Sequence, residues 1–355
     1  MQLVTVVGAR PQLVKASALA AALRRSDGAW DHRLIHTGQH YDDAMSGIFF
    51  RELGMDPPDL NLEVGSGGHG EQTGEMLKRL EPVLEDLSPD AVLVYGDTNS
   101  TLAAALAAAK LDLPIAHVEA GLRSHRRAMP EEINRVVTDR LSTLLFCPSQ
   151  EAADNCSREG ITDGVEVVGD IMRDALDLQL AATDASTSRS DRLPDRYALA
   201  TIHRAENTDD PARLGAIVAG LVRVAESGLA VVWPIHPRTR PLVDVEELGT
   251  RGVRILGPQS FAAMVSLERD AEVVVTDSGG VQKEALWLDV PCVTTRDETE
   301  WVETVACGWN RLVAADATKI ATAALAPRPE GEAPDLYGDG HASERILSTL
   351  QRVLG

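Results

Sequence analysis

The segment L-V-T-V-V-G-A-R-P-Q-L-V-K, residues 3–15, is the first of a series of similar units in this chain of 355 residues. The apolar run Leu3–Val7 predicts a buried strand, and the apolar periodicity of Val14–Arg25 predicts a helix. Gly8 permits a tight turn between them, and Pro11 suits the first helical turn. The segment therefore predicts a strand, turn and helix unit of the kind that builds parallel sheets.

The same alternation continues along the chain in two series. The predicted strands are Leu3–Val7, Arg33–His36, Ala91–Tyr95, Ile115–Val118 and Leu144–Cys147, then Tyr197–Thr201, Ala230–Ile235, Val253–Leu256, Glu272–Thr276 and Cys292–Thr294. The predicted helices include Val14–Arg25, Gln72–Leu87, Ser100–Lys110, Glu131–Leu141, Ala212–Ala225, Phe261–Leu267, Val281–Leu286 and His341–Val353. Such repeats predict an α/β fold with doubly wound parallel sheets. The segment Leu178–Asp195, rich in Ala, Thr, Ser and Asp, predicts a connection between two domains.

The charge balance and the cysteines argue against several classes of partner. Lys and Arg number 34 against 54 Asp and Glu, a net charge of -20, which argues against nucleic acid and anionic membranes. No apolar run is long enough to span a membrane, and the N-terminus begins with a strand rather than a signal peptide. The four cysteines lack metal-binding spacing and indicate reduced thiols, so we expect a cytoplasmic protein without a metal site.

Ligands of open α/β sheets bind beyond the carboxyl ends of the strands, so the residues that follow each strand are the candidates. Arg10 and Lys15 follow the first strand and place two cations near a helix N-terminus, which suits an anion. Asp97 and Glu119 follow two further strands, and Glu131 begins a helix. Carboxylates grouped in this way favour separate acid and base roles. The alternative is that Asp97 and Glu131 only stabilise the starts of their helices.

The second series contributes histidines and an anion-binding turn. His203 and His236 each lie just beyond a strand. The turn Ser278–Gly280 opens a helix, where backbone N–H groups can approach a phosphate closely, and Glu284 lies one turn further on. Arg296 begins a charged loop whose simplest interpretation is a solvated turn. Neither G-x-G-x-x-G nor a P-loop is present, so the sequence gives little support to a dinucleotide or ATP.

Nine motifs in order resemble those of the non-hydrolysing UDP-N-acetylglucosamine 2-epimerases, from about residue 2 to about residue 313. They are G-A-R-P-Q-L-V-K, H-T-G-Q-H, Y-G-D-T-N-S, H-V-E-A-G-L-R-S, M-P-E-E-I-N-R, T-I-H-R-A-E-N, P-I-H-P-R, T-D-S-G-G-V-Q-K-E and R-D-E-T-E. The first motif more often reads G-T-R-P-E in that family, so Ala9 and Gln12 are departures.

The resemblance implies two Rossmann-like domains of the glycosyltransferase-B type, which face each other across a cleft that holds the active site. We expect residues 1–170 to form the first domain and residues 171–340 the UDP-binding second domain, with the helix in residues 341–355 packed back on the first. The implied reaction interconverts UDP-N-acetylglucosamine and UDP-N-acetylmannosamine through elimination of UDP and its re-addition. No cofactor and no metal is expected, and the family resemblance implies a homodimer.

The resemblance also assigns roles to individual residues. The catalytic residues it implies are Asp97, Glu119, Glu131 and His203, although the sequence does not separate the role of Glu131 from that of its neighbour Glu132. The substrate-binding residues it implies are Arg10, Lys15, Arg135, His236, Phe261, Ser278, Gly279, Gly280, Glu284 and Arg296. Open alternatives are a hydrolysing epimerase that releases UDP and N-acetylmannosamine, an epimerase for a UDP-diacetamido sugar or uronic acid, a glycosyltransferase, and a non-enzymatic binding module.

Overall fold

The computed structural model describes residues 1–26, 28–39, 50, 52–184 and 193–355. These residues form two compact units, each with its own parallel sheet. Unit 1 comprises Met1–Leu178 and Tyr337–Gly355, and unit 2 comprises Gln179–Leu336. No helix in the described ranges is both long and apolar enough to cross a membrane.

The sheet of unit 1 has the strand order β3-β2-β1-β4-β5-β6-β7, and all of its strand pairs are parallel. Its strands are β1 (Gln2–Val7), β2 (Asp31–His36), β3 (Leu60–Asn61), β4 (Ala91–Tyr95), β5 (Ile115–Val118), β6 (Leu144–Cys147) and β7 (Val165–Val167). The helices that follow them are α1 (Arg10–Arg25), α2 (His69–Leu87), α3 (Asn99–Lys110), α4 (Pro130–Leu141), α5 (Gln150–Arg158) and α6 (Ile171–Asp184).

The sheet of unit 2 has the order β10-β9-β8-β11-β12-β13, again with every pair parallel. Its strands are β8 (Tyr197–Thr201), β9 (Ala230–Pro234), β10 (Val253–Leu256), β11 (Val273–Thr276), β12 (Cys292–Thr294) and β13 (Asn310–Leu312). Its helices are α7 (Ala205–Thr208), α8 (Pro211–Glu226), α9 (Val245–Thr250), α10 (Phe261–Arg269), α11 (Gly279–Trp287), α12 (Val302–Ala306) and α13 (Ala317–Ala324), with a 3-10 turn at Arg240–Leu242. The last helix, α14 (Ala342–Leu354), packs against α1 in unit 1.

The predicted α/β fold with doubly wound parallel sheets is confirmed, because in each sheet the chain starts in the middle and winds outwards on both sides. The strands that the sequence missed are the edge strands Leu60–Asn61, Val165–Val167 and Asn310–Leu312. Each has only two or three residues and is incompletely buried, so it lacks the continuous apolar run of a central strand.

The predicted connection over Leu178–Asp195 is wrong at its start, because α6 continues to Asp184. The Ala and Leu content of Ile171–Asp184 favours a helix and outweighs the Thr and Asp at its end. Residues 185–192 of that connection lie outside the described residues, as does His40 of the H-T-G-Q-H motif.

Gln12 joins the first βα turn to the two elements beside it. Its buried side-chain oxygen accepts hydrogen bonds from the N–H groups of Gly8 and Ala9, at 2.8 and 3.1 Å. Its amide nitrogen donates to the Tyr95 carbonyl at 2.8 Å and to the Thr101 hydroxyl at 2.9 Å. The Thr101 hydroxyl donates its own hydrogen to the Tyr95 carbonyl, so it can only accept from Gln12. Position 12 therefore needs a side chain that both accepts and donates hydrogen bonds.

We predict that Gln12→Glu lowers the free energy of unfolding by about 1–3 kcal/mol near pH 8, because an ionised carboxylate cannot donate to the Tyr95 carbonyl. The loss becomes smaller towards about pH 5, since burial favours the protonated carboxyl, which regains one donor. Urea unfolding at both pH values measures this. The control Gln150→Glu, at an exposed position that begins α5, changes stability by less than about 0.5 kcal/mol. Equal losses at the two pH values would contradict the explanation.

Candidate active site

A buried ion pair in unit 1 joins Lys15 of α1 to Glu119, the first residue after β5. Only 11% of the Lys15 side chain and 14% of the Glu119 side chain are exposed. Burial alone would lower the pKa of Lys15, but the charge and hydrogen bond of Glu119, together with the charges of Asp170 and Asp97, outweigh burial and raise it. Glu119 has a φ of 70°, a left-handed conformation that is strained for a side chain of this kind and that is often found at functional sites.

The turn that carries Asp97 lies against this ion pair. A Cβ atom built on Gly96 would lie 3.1 Å from Glu119 Oε2 and 3.8 Å from Lys15 Nζ. Gly96 has a φ of 59°, so the close approach and the conformation both favour glycine there. The carboxylate of Asp97 pairs with Arg135 of α4, and the Asp97 charge also acts on Lys15. The structure therefore brings Asp97 and Glu119 together with two cations.

The two adjacent acids at the start of α4 differ in their surroundings. Glu132 is buried, and its carboxylate accepts hydrogen bonds from the backbone of Ser124 at 2.9 Å and of His125 at 2.9 Å, and from Arg135 at 2.8 Å. Burial would raise the pKa of Glu132, but these hydrogen bonds outweigh it and lower the pKa. Glu131 is exposed. The carboxylate of Glu132 is thus occupied by hydrogen bonds that hold the Ser124–His125 loop, whereas the Glu131 side chain faces solvent.

In unit 2 the buried carboxylate of Asp277 fixes the backbone that carries His203. It accepts from the N–H groups of His203 at 3.0 Å and Arg204 at 2.9 Å, and from the Asn207 amide at 3.1 Å. The ring of His203 lies 3.3 Å from Asp277 Oδ1 and its centroid is 5.5 Å from that of His236. Burial lowers the pKa of His203, and Asp277 only partly offsets this. His203 is therefore suited to remain neutral near physiological pH.

The predicted anion-binding turn lies between β11 and α11. Ser278 is the N-cap of α11, and Gly279 and Gly280 are its first two residues. A Cβ on Gly279 would lie 3.6 Å from the guanidinium of Arg204, so a cation lies beside this helix start. Glu284 lies further along α11 and is buried.

The remaining predicted site residues are placed as follows. Arg10 is exposed at the start of α1, and His236 is exposed just after β9. Phe261 begins α10 and is half-buried. The predicted solvated turn holds for Asp297 and Glu298, which are exposed, but not for Arg296, which is 5% exposed and pairs with Glu300 and Glu206.

Sequence reasoning missed two kinds of residue. Asp277 follows β11 directly, so the rule that strand ends carry function should have selected it. His117 lies inside β5 and is buried with Asp139 of α4 at 2.6 Å. A histidine within an apolar strand was the available signal for His117, but nothing in the sequence showed that Asp139 is its partner.

The fold of the two units is of the glycosyltransferase-B type, as predicted. A family model described as UDP-N-acetylglucosamine 2-epimerase matches residues 21–351. The chain belongs to the UDP-N-acetylglucosamine 2-epimerase family, and it is therefore an enzyme of the isomerase kind.

Individual relatives cover nearly the whole chain. A UDP-N-acetylglucosamine 2-epimerase homolog of Methanococcus maripaludis is 45% identical, over 99% of this chain and 100% of that protein. The UDP-2,3-diacetamido-2,3-dideoxy-D-glucuronate 2-epimerase of Pseudomonas aeruginosa is 47% identical, with the same coverage of 99% and 100%. The crystal structure of Methanocaldococcus jannaschii UDP-GlcNAc 2-epimerase in complex with UDP-GlcNAc and UDP matches with a TM-score of 0.85 and 41% identity, over 99% of this chain and 100% of that one.

We predict that Asp277→Asn lowers the pKa of His203 further, because it removes the carboxylate that raises this pKa. NMR titration of the histidine ring protons measures the shift. The matched control is Asp316→Asn, which removes an exposed carboxylate that caps α13 in the same unit and leaves the His203 titration unchanged. A His203 pKa that stays the same or rises in Asp277→Asn would show that Asp277 does not act on the ring.

Proposed function

We propose that this enzyme interconverts UDP-N-acetylglucosamine and UDP-N-acetylmannosamine without net hydrolysis. Family membership and the relatives named for this reaction support the proposal. The observation that carries it is the placement of two candidate carboxylates, Asp97 and Glu119, on neighbouring turns, with Lys15 paired to Glu119 and influenced by the charge of Asp97. Inversion at a carbon that bears a weakly acidic hydrogen requires paired acid and base groups of this kind.

The proposed chemistry has two balanced steps. In the first, a base removes the proton from carbon 2, the electron pair forms a double bond to carbon 1, and UDP leaves with the electrons of the carbon–oxygen bond. In the second, an acid delivers a proton to the opposite face of carbon 2, and the UDP oxygen bonds again to carbon 1. The departing diphosphate needs charge stabilisation in both directions.

We assign proton transfer and nucleotide binding to different residues. Proton transfer belongs to Asp97, Glu119, Glu131 and His203. Substrate binding belongs to Arg10, Lys15, Arg135, His236, Phe261, Ser278, Gly279, Gly280, Glu284 and Arg296. The N–H groups at the start of α11 suit a phosphate, and Arg204 beside Gly279 adds a positive charge there. We further propose that the enzyme is a cytoplasmic homodimer that serves polysaccharide biosynthesis.

A second candidate substrate is a UDP-2,3-diacetamido uronic acid. The observation that favours it is the 47% identity to the Pseudomonas aeruginosa enzyme, which is named for such a sugar. The elimination and re-addition steps are the same for both sugars, because the reacting atoms are carbon 1 and carbon 2 in each. The two candidates therefore differ only in what surrounds carbon 3 and carbon 6.

Incubation with a panel of UDP-sugars in deuterated water, followed by proton NMR, tests the function. We expect one UDP-sugar to yield its carbon 2 epimer, with deuterium at carbon 2 in both epimers and no free sugar. Release of UDP in step with free N-acetylmannosamine would instead identify a hydrolysing epimerase. Transfer to an acceptor without exchange at carbon 2 would identify a glycosyltransferase.

Paired substitutions at the start of α4 separate the two adjacent acids. We predict that Glu131→Gln lowers kcat by about 10²–10⁴-fold, the usual contribution of a proton-transfer group, with little change in Tm. Glu132→Gln should lower Tm, because it weakens the hydrogen bonds that hold Ser124 and His125. Glu131→Gln with wild-type kcat would remove Glu131 from the proposed mechanism.

A further inference from the structure

A buried histidine in unit 1 bridges two hydrogen-bond acceptors that lie on opposite sides of its ring. His117 lies inside β5 and is fully buried. Its Nδ1 lies 2.6 Å from Asp139 Oδ1, and its Nε2 lies 2.7 Å from the carbonyl oxygen of Gly96. The N–H of Gly96 donates in turn to the Val118 carbonyl at 2.9 Å, so both backbone groups of Gly96 are tied to β5.

The second oxygen of Asp139 holds the turn after β5. It accepts from the N–H of Gly121 at 3.1 Å and forms an ion pair with Arg123 Nη1 at 2.7 Å. Arg123 also binds Glu159 through Nε at 2.7 Å, which anchors the network at the end of α5. His117 and Asp139 thus clamp two glycines by hydrogen bonds to their backbones, His117 at Gly96 and Asp139 at Gly121.

The two clamped glycines flank the candidate carboxylates. Gly96 directly precedes Asp97, and Gly121 lies two residues after Glu119. Glu119 occupies a left-handed conformation, which persists only where the surrounding structure fixes it. Two hydrogen bonds help to fix these turns: His117 bonds to the Gly96 carbonyl on one, and Asp139 accepts from the Gly121 N–H on the other.

The donor pattern explains why a histidine stands at this position. The Gly96 carbonyl can only accept, so Nε2 of His117 must donate to it. Burial would raise the pKa of Asp139, but the hydrogen bond from His117 and the charge of Arg123 outweigh burial and lower it. The other oxygen of Asp139 accepts from the Gly121 N–H and pairs with Arg123, as a carboxylate does, so Nδ1 is assigned as the donor to Oδ1. An amide side chain carries both of its hydrogens on one nitrogen and cannot donate in two opposite directions.

We propose that His117 and Asp139 are positioning residues that hold Asp97 and Glu119 at the spacing needed for proton transfer. The inference rests on the proposed epimerase function. Neither residue is assigned a contact with substrate, and each acts through the backbone of a neighbouring turn. A displacement of a proton-transfer group by about 1 Å is enough to cost on the order of 10²-fold in rate.

The test compares His117→Gln with His32→Gln. His32 is a half-buried strand histidine of the same unit whose Nε2 meets the Thr5 hydroxyl at 2.9 Å, so it is a matched control. We expect His117→Gln to lower kcat by about 10–100-fold while the Kd for UDP changes by less than about twofold, since the nucleotide is assigned to other residues. His32→Gln should leave both values unchanged.

A wild-type kcat in His117→Gln overturns the inference, and so does a rise in the UDP Kd by the same factor as the loss in kcat. Nitrogen-15 NMR of the histidine rings in the unmodified enzyme is the second measurement, and it stands even if the variant does not fold. We expect hydrogens on both ring nitrogens of His117, and a ring with only one would also overturn the inference. A wild-type enzyme that epimerises no UDP-sugar counts against the proposed function, while the NMR result still decides on the two-donor geometry.

Discussion

The buried ion pair between Lys15 and Glu119 is the constraint on which unit 1 depends. An ammonium group and a carboxylate lose most of their hydration here, which is costly unless each finds the other. The pair joins α1 to the end of β5, although β1 and β5 are not neighbours in the sheet and β4 lies between them. The turn after β4 passes close to both charges, and this close approach together with a φ of 59° favours glycine, which accounts for Gly96.

The two units share the order of their first six strands, to which unit 1 adds a seventh, but they hold their candidate functional residues by different means. In unit 1 the carboxylates pair with cations: Glu119 with Lys15, and Asp97 with Arg135. In unit 2 the buried Asp277 receives most of its hydrogen bonds from backbone N–H groups. Backbone donors are fixed by the fold and carry no side-chain entropy, so they suit the rigid presentation of a ring or a phosphate. Cation–carboxylate pairs leave charges that can respond when a proton moves.

The hydrophobic pattern of the sequence was enough to predict the central strands of both sheets. Each central strand is a continuous apolar run, and Ala91–Tyr95 and Ile115–Val118 begin and end as predicted because a turn follows each run directly. Edge strands such as Leu60–Asn61 were not predicted, because their partly exposed residues do not form a continuous apolar run. The helix over Ile171–Asp184 was not predicted, and its second half was assigned to a connection because Leu178–Asp195 is rich in Ala, Thr, Ser and Asp.

In the candidate site too, features that follow from local sequence could be predicted, whereas contacts between distant residues could not. Positions just after strands, such as Asp97 and Glu119, could be selected because the sheet rule applies to every strand. The difference between Glu131 and Glu132 could not, because it depends on the loop that Glu132 holds at 2.9 Å through Ser124. Nor could the partner of His117, since Asp139 is 22 residues away and only the packing of α4 on the sheet brings the two together.

The net charge of -20 is compatible with the anionic substrate proposed for this enzyme, because the protein's overall field and its individual side chains act over different distances. The long-range field of the protein repels a diphosphate, but salt screens such fields beyond about 8 Å at physiological ionic strength. Within that distance a ligand meets individual side chains, and several cations are withheld from solvent, among them Lys15, Arg135 and Arg296. Each of these is already paired with a carboxylate, so the proposed binding of a diphosphate by any of the three would require it to exchange one anionic partner for another.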